Sequence, residues 1–534
     1  MTVEHGDRLL VNGRIWTGDE HVEAVAIRNG KILAAGSDEA VREIAERGAD
    51  VLDLDGRRAI PGLIDSHVHF LRGGQTWNDI VRWDGVPSLE EGLRRIAVAA
   101  SSTPAGTWLR VLGSWHPGQF SEGRGPTQAE LDRAAPDHPV YVQLLYEWAI
   151  LNSMAANLAL GESNPPGGEI ERDATGAPTG LIRGPGAFGM VLGQIPAPTR
   201  AAQVASTKAL MADFNATGIT GVIDPGGFGV IPESYGALFD TWRAGEMTLR
   251  VGLYVVPGGR GTEVEDLRQW VRYVQPGFGD DMLRYVGAGE ILTFGCHDLE
   301  GVRPFEVSKE AKADLTEITR MLSLAGWPIH MHAVLDPTIG AVLDVFEEVA
   351  ADVGLRGRVS LAHAEPIGRR NLERVKALGI GIAIQDRMIM RSADSAAFWG
   401  EEIAIDSPPL RDILDLGIPL GAGTDGTVVA SHDPWQCIHW LVTGKSIDGA
   451  PPRSERHRLT IEEALAAYTS GSAWFSLDEH KRGTLKPGML ADIAVLSDDV
   501  FAIDPDSLTS VRSDLTMVGG VAVHAAGPFS GPVV

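Results

Sequence analysis

Two histidines one residue apart close the apolar run Pro61-Gly62-Leu63-Ile64-Asp65-Ser66-His67-Val68-His69-Phe70. In an extended strand alternate side chains share a face, so His67 and His69 point the same way at a strand end. Two imidazoles so placed suit one divalent metal ion. A bare His-x-His pair is weak evidence, because polar residues at strand ends are common. Donors at the ends of other apolar runs carry the reading further: Glu290, His330-Met331-His332, His363 between Ala362 and Ala364, and Asp425 after Gly423-Thr424. His330 and His332 share one face, so one of them is open to a structural or substrate-facing role. Imidazole and carboxylate donors suit Zn²⁺, with Mn²⁺, Fe²⁺ or Co²⁺ as alternatives. Such an ion lowers the pKa of its water from about 15.7 to near 7, which is the chemistry of hydrolysis at neutral pH.

Those donors need elements that converge. Apolar runs predict strands at 61–69, 219–224, 250–256, 283–292, 327–332, 358–363, 379–384 and 417–424. Helical patterns lie between most of them, most clearly at 310–324 and 339–351. Eight βα units of this kind predict an α/β protein built on a closed (β/α)₈ TIM barrel, with the strand ends meeting at one mouth. Residues 71–205 break the alternation and are expected to be an insertion after the first barrel strand, with strands of their own at 108–113 and 139–145. An insertion there overhangs the mouth and shapes a pocket. Trp148 and Trp115 within it are candidate substrate contacts, as are His297, after the fourth strand, and His330.

Both ends of the chain read as short strands and turns. Asn12-Gly13, Asn29-Gly30 and Val518-Gly519-Gly520-Val521 are hairpin signals. One small sheet unit from residues 1–60 and 477–534 is expected, with the barrel occupying 61–476. The formal net charge of −25 repels phosphate backbones and anionic lipid, so neither nucleic acid nor a membrane surface is an expected partner. Two cysteines, Cys296 and Cys437, imply no disulfide framework. The first 16 residues lack a signal-peptide pattern, and no apolar run reaches the roughly 18 residues of a membrane span, so a cytoplasmic location is expected. No Gly-x-Gly-x-x-Gly follows a strand, which argues against a dinucleotide enzyme, and Gly226-Gly227-Phe228-Gly229 reads as a loop.

Several motifs together resemble the metal-dependent amidohydrolase superfamily, in the branch of YtcJ-like enzymes and N-substituted formamide deformylase. They are Pro61 to His69, His332-Ala-Val-Leu-Asp336, Ala362-His363-Ala364, Gly423-Thr424-Asp425 and Gly483-Thr-Leu-Lys-Pro-Gly-Met-Leu-Ala-Asp492. In the insertion, 131–139, 151–153 and 176–180 match as well. The resemblance spans nearly the whole chain. It implies a composite β-sandwich beside the barrel and metal ligation by His67, His69, His332, His363 and Asp425. Relatives often carry a carboxylated lysine at the end of the fourth strand; the matching stretch here offers Glu290. A carboxylate, like a carbamate, is a two-oxygen anion able to bridge two cations, so Glu290 is expected as the sixth ligand; a one-metal site follows if it is not. Where relatives usually have a histidine in the insertion, Glu147 stands here, and a carboxylate at that point would favour a cationic or amine-bearing substrate. The implied activity is hydrolysis of a C–N bond in a small amide, cyclic amide or N-acyl compound, with one or two divalent ions, most simply zinc, and Asp425 as general base and acid. A decarboxylase or isomerase of the same superfamily is the alternative. A homodimer is expected by analogy alone.

Overall fold

Eight strands, all parallel to their neighbours, make the central sheet: β1 (Leu63–Asp65), β2 (Ile219–Asp224), β3 (Arg250–Val255), β4 (Leu283–Ala288), β5 (Ile329–Ala333), β6 (Val359–His363), β7 (Gly381–Gln385) and β8 (Leu420–Gly423). Each pairs with the next in sequence order. The computed structural model describes residues 7–530, so the outermost parts of the two expected terminal segments, 1–6 and 531–534, lie outside the described residues. The strands are buried nearly throughout, as a sheet covered by helices on one face and packed side chains on the other requires.

The seam between β1 and β8 closes just above the ladder. Ser66 N–H donates to Ala422 O at 3.0 Å and Asp425 N–H to His67 O at 2.9 Å. The buried Asp65 carboxylate accepts from the Thr424 hydroxyl at 2.6 Å and from the His67 N–H at 3.0 Å. Burial raises Asp65 to about 7 against these hydrogen bonds. The sheet is thus a barrel, and its C-terminal rim carries the histidines and acids of interest. The expected helices at 310–324 and 339–351 are Lys309–Ala325 and Asp336–Asp352, packed on each other outside the barrel.

The terminal segments interleave. A six-stranded sheet joins Arg14–Trp16, His21–Val22 and Arg58–Pro61 to Ile493–Leu496, Ser513–Val518 and Val521–Ala525, with Ala494 opposite Ile60. A four-stranded sheet comes from the N-terminal segment alone. Leu10, Val25 and Leu54 pack with Ile493, Leu515 and Met517, so neither end buries its apolar face without the other. Asn29-Gly30 and Gly519-Gly520 do turn hairpins. Asn12-Gly13 does not: Arg8–Val11 pairs with Ala24–Arg28 and Asp50–Asp53, and the chain leaves for the other sheet at Gly13. Tight-turn chemistry sets a reversal, whereas sheet membership is set by which apolar face is buried.

Arg250 of β3 ties the barrel to the terminal unit through a two-pronged pair with Asp492 at 2.8 and 2.9 Å, both side chains buried. Replacing Arg250 with methionine leaves that carboxylate buried and unpaired. The expected cost is about 3–5 kcal/mol, read as a lower denaturation midpoint, and an unchanged midpoint would show that the pair does not hold the units together.

The insertion has its own five-stranded sheet: Glu169–Arg172, Pro178–Arg183, Trp148–Leu151, Val140–Leu144 and Leu109–Leu112. It contacts the barrel rim beside Asp425, where the Ser114 hydroxyl lies 2.9 Å from Thr427 O and 2.7 Å from Ala430 O. No helix among the described residues is long and apolar enough to cross a membrane.

Candidate metal centre

The residues at the barrel mouth form one cluster. Ligand atoms of His67, His69 and Glu290 lie within 4.8 Å of one another, as do those of His67, His363 and Asp425, and those of Glu290, His297 and His332. Glu290 stands between the sets. Its Oε2 is 3.3 Å from His67 Nε2 and 3.8 Å from His332 Nδ1, and its Oε1 is 3.7 Å from His69 Nε2. Asp425 Oδ1 is 3.3 Å from His69 Nε2 and 3.7 Å from His67 Nε2.

Several of these residues lie beyond the strands expected to carry them. β1 ends at Asp65, because its carboxylate takes the His67 N–H and the chain then turns into the helix Phe70–Gly74. The alternation rule therefore does not place His67 and His69; their hydrogen bonds to the neighbouring rim do. Val68 N–H donates to Ile223 O at 3.0 Å and His69 N–H to Gly426 O at 2.9 Å. Likewise β4 ends at Ala288, and Glu290 is held by its N–H donating to Pro225 O at 3.0 Å.

The rings of His67, His69 and His332 are held from behind. His69 Nδ1–H donates to Gly226 O at 2.8 Å, which turns Nε2 to the cluster. Gly227 has φ +123°, and a Cβ there would lie 2.8 Å from the His69 ring and 3.2 Å from Glu290 Oε1. The loop at 226–229 is therefore the packing wall of the centre, which its glycine content alone did not indicate. His332 Nε2–H donates to Asp298 at 3.1 Å, leaving Nδ1 for Glu290. The Asp298 carboxylate is itself held by the N–H groups of Val334 and Leu335. Outer partners of this kind raise ligand basicity; sequence reading passed over Asp298, whose only signal is an acid near His297.

Four of the atoms at the cluster, His67 Nε2, His332 Nδ1, His363 Nδ1 and Asp425 Oδ1, are buried without a hydrogen-bond partner. An unmade hydrogen bond at a buried atom costs about 1–3 kcal/mol. Here two of the unpartnered atoms face Glu290 and the other two group with His67, so imidazoles and carboxylates gather as the donor set of a divalent ion. His363 and Asp425 also hold left-handed backbone, with φ 73° and 53°. For residues other than glycine this strain costs of order 1–3 kcal/mol and collects at functional sites.

Charge follows from the same contacts. Burial would raise Glu290 and Asp425, but the facing histidines hold Glu290 well below the usual range and Asp425 below it too. Burial pulls His332 down, but Asp298 and Glu290 outweigh it and hold the ring up at about 9. Burial, with the His332 charge, takes His297 down to about 3. His297 stacks on His332 at 3.6 Å between centroids, and its Nδ1 accepts the Leu299 N–H at 3.2 Å. Its proton is thus on Nε2, so it is placed as a donor at the cluster.

Four of the expected substrate contacts are engaged with the protein itself. His330 is wholly buried behind His67, with its Nε2 2.9 Å from His67 Nδ1, and faces no cleft. Trp115 is wholly buried in the insertion, stacked on Phe120 at 5.5 Å and edge-on to Trp83 and Trp148; its indole N–H is satisfied by Gln143 O at 2.9 Å. Trp148, half-buried, belongs to that same aromatic cluster. Glu147 is ion-paired with Arg391, which also meets Glu300 and Asp394, each at 3.3 Å. Instead the insertion reaches the mouth through Tyr146, whose hydroxyl accepts from Arg72 Nη2 at 3.0 Å. Arg387, paired with the wholly buried Glu365 at 2.5 and 2.8 Å, adds a second cation near His363.

Comparison with known proteins agrees with this geometry. Residues 50–524 match the model of the Amidohydrolase family. The chain is 26% identical to N-substituted formamide deformylase of Arthrobacter pascens over 96% of its own length and 98% of that protein. It is also 26% identical to YtcJ of Bacillus subtilis, covering 95% and 96% of the two chains. In three dimensions it resembles an uncharacterized metal-dependent hydrolase from Pyrococcus furiosus, with a TM-score of 0.68 at 24% identity, over 93% of this chain and 100% of the other. A barrel of eight parallel strands with imidazoles and carboxylates converging at its C-terminal rim, matched over most of its length by one family model, places this chain in the amidohydrolase family.

Proposed function

We propose that the chain hydrolyses the C–N bond of a small amide, cyclic amide or N-acyl compound at a centre of one or two zinc ions. His67, His69, Glu290, His332, His363 and Asp425 hold the metal. The observation that carries this reading is the set of four unpartnered buried donor atoms at the rim: His67 Nε2 and His332 Nδ1 face the Glu290 carboxylate, and His363 and Asp425 group with His67. A bound ion supplies an acidified water and polarises the scissile carbonyl. Asp425, ionised at neutral pH, accepts a proton at its carboxylate and returns it to the leaving nitrogen. The His297 Nε2–H, on a ring kept neutral by burial, donates to the carbonyl oxygen as negative charge develops there. Arg72 and Tyr146 close one side of the mouth and help order substrate. The two cysteines are buried and unpaired, which suits the reducing cytoplasm.

The test is product analysis. The zinc-loaded protein is incubated with a panel of formamides, N-acyl amines and lactams. Free amine and acid in equal amounts are expected from the formamides and N-acyl amines, and the ring-opened amino acid from the lactams, all lost on chelation and restored by Zn²⁺. Carbon dioxide or an isomer as sole product, or hydrolysis indifferent to chelation, would overturn the reading.

A further inference from the structure

We propose that His330 and Ser360 are positioning residues that impose one tautomer on His67 and thereby set the metal affinity of the centre. The inference rests on the metal-hydrolase reading above. It starts from register: His330 of β5 is the direct partner of Ser360 of β6. Neither residue touches the ligand cluster from the front, and His67, His330 and Ser360 are all buried. The three form a file: His67 Nδ1 is 2.9 Å from His330 Nε2, His330 Nδ1 is 2.8 Å from the Ser360 hydroxyl, and that hydroxyl is 3.2 Å from Ile329 O.

The far end of the file gives it a direction. The Ser360 hydroxyl has one proton and two acceptors in reach, Ile329 O at 3.2 Å and His330 Nδ1 at 2.8 Å; in the proposed relay, with His67 Nε2 free for the ion, the proton goes to Ile329 O. The hydroxyl oxygen must then accept from His330, which puts the His330 proton on Nδ1. His330 Nε2 is left as a lone pair and accepts from His67, which puts the His67 proton on Nδ1. His67 Nε2 is then bare and faces Glu290 and Asp425, the form a metal ligand requires. Aromatic rings wall the file: Tyr254 lies 5.4 Å and Phe475 6.1 Å from the His330 ring, and neither offers the ring nitrogens another partner. The polarity of one carbonyl is thereby passed through two side chains to the ion site.

The consequence is thermodynamic. In Ser360→Ala, His330 Nδ1–H loses its acceptor. Without metal the ring escapes the penalty by moving its proton to Nε2 and donating to His67. Binding an ion reverses that move and strands a buried N–H, so the penalty appears as weaker binding. Zinc affinity, measured by chelator competition, is expected to fall roughly 10–100-fold. Ser360→Thr, which keeps the hydroxyl on a strand, is expected to restore it. A purely structural role would lower the metal-free melting temperature and leave affinity alone; here the affinity moves. A second measurement does not depend on a variant: in the zinc-loaded wild type, ¹⁵N shifts of labelled histidine are expected to show His330 protonated at Nδ1 and bare at Nε2. Wild-type zinc affinity in Ser360→Ala, or His330 protonated at Nε2 in a protein that binds zinc, would overturn the relay alone. A wild type that takes up no zinc would overturn the hydrolase reading, and the affinity claim with it.

Discussion

Asp425→Asn is expected to keep its metal and lose its turnover. The asparagine oxygen can still occupy the position 3.3 Å from His69 Nε2, so an ion keeps a donor there. Asparagine also tolerates the left-handed backbone at this position, where φ is 53°, so the rim is not disturbed. What disappears is the proton acceptor. Removing a general base of this kind costs about 10²–10⁴-fold in kcat. Metal analysis beside steady-state kinetics checks both halves of the statement. A fully loaded Asp425→Asn enzyme working at the wild-type rate would remove Asp425 from the proton-transfer role.

Glu290→Ala is expected to act earlier, on the metal itself. Among the described residues Glu290 is the one carboxylate that reaches His67, His69 and His332. Taking it away removes a ligand and the negative charge that His67, His69 and His332 face. Affinity should fall by more than the roughly 10–100-fold seen when an outer partner is lost. If the wild type carries two ions, the variant should carry at most one. Glu290→Gln keeps the shape and one neutral oxygen, and should fall between the two. Chelator competition with elemental analysis gives the numbers; an alanine variant that loads metal as the wild type does would place Glu290 outside the ligand set.

The two variants separate the roles of acids that look alike in the chain. Both carboxylates are buried and both are held ionised by histidines. They differ in placement: Glu290 lies between the imidazole sets, and Asp425 caps one of them beside the insertion.

Much of the barrel was legible because period and length are local properties. Ile219–Asp224 is a strand at the expected bounds, and the helix expected at 310–324 is Lys309–Ala325. Strand ends were less legible. The run at 61–69 looks continuous, yet its first part belongs to the terminal sheet, its middle to the barrel, and its two histidines to neither. Hydrophobicity does not record which neighbour a backbone N–H will meet. The hairpin expected at Asn12-Gly13 failed for the same reason.

By itself, the order of residues determined the eight βα units, the barrel they imply and the six donor residues that could meet at its rim, because strand period, helix period and residue chemistry are properties of neighbours in the chain. The fold alone decided that Glu147 is paired with Arg391, that Trp115 is packing, and that His330 stands behind His67 while Asp298 and Gly227 support the ligands. Those assignments depend on partners distant in the chain, and a pairing across such distances is set by burial and register in three dimensions.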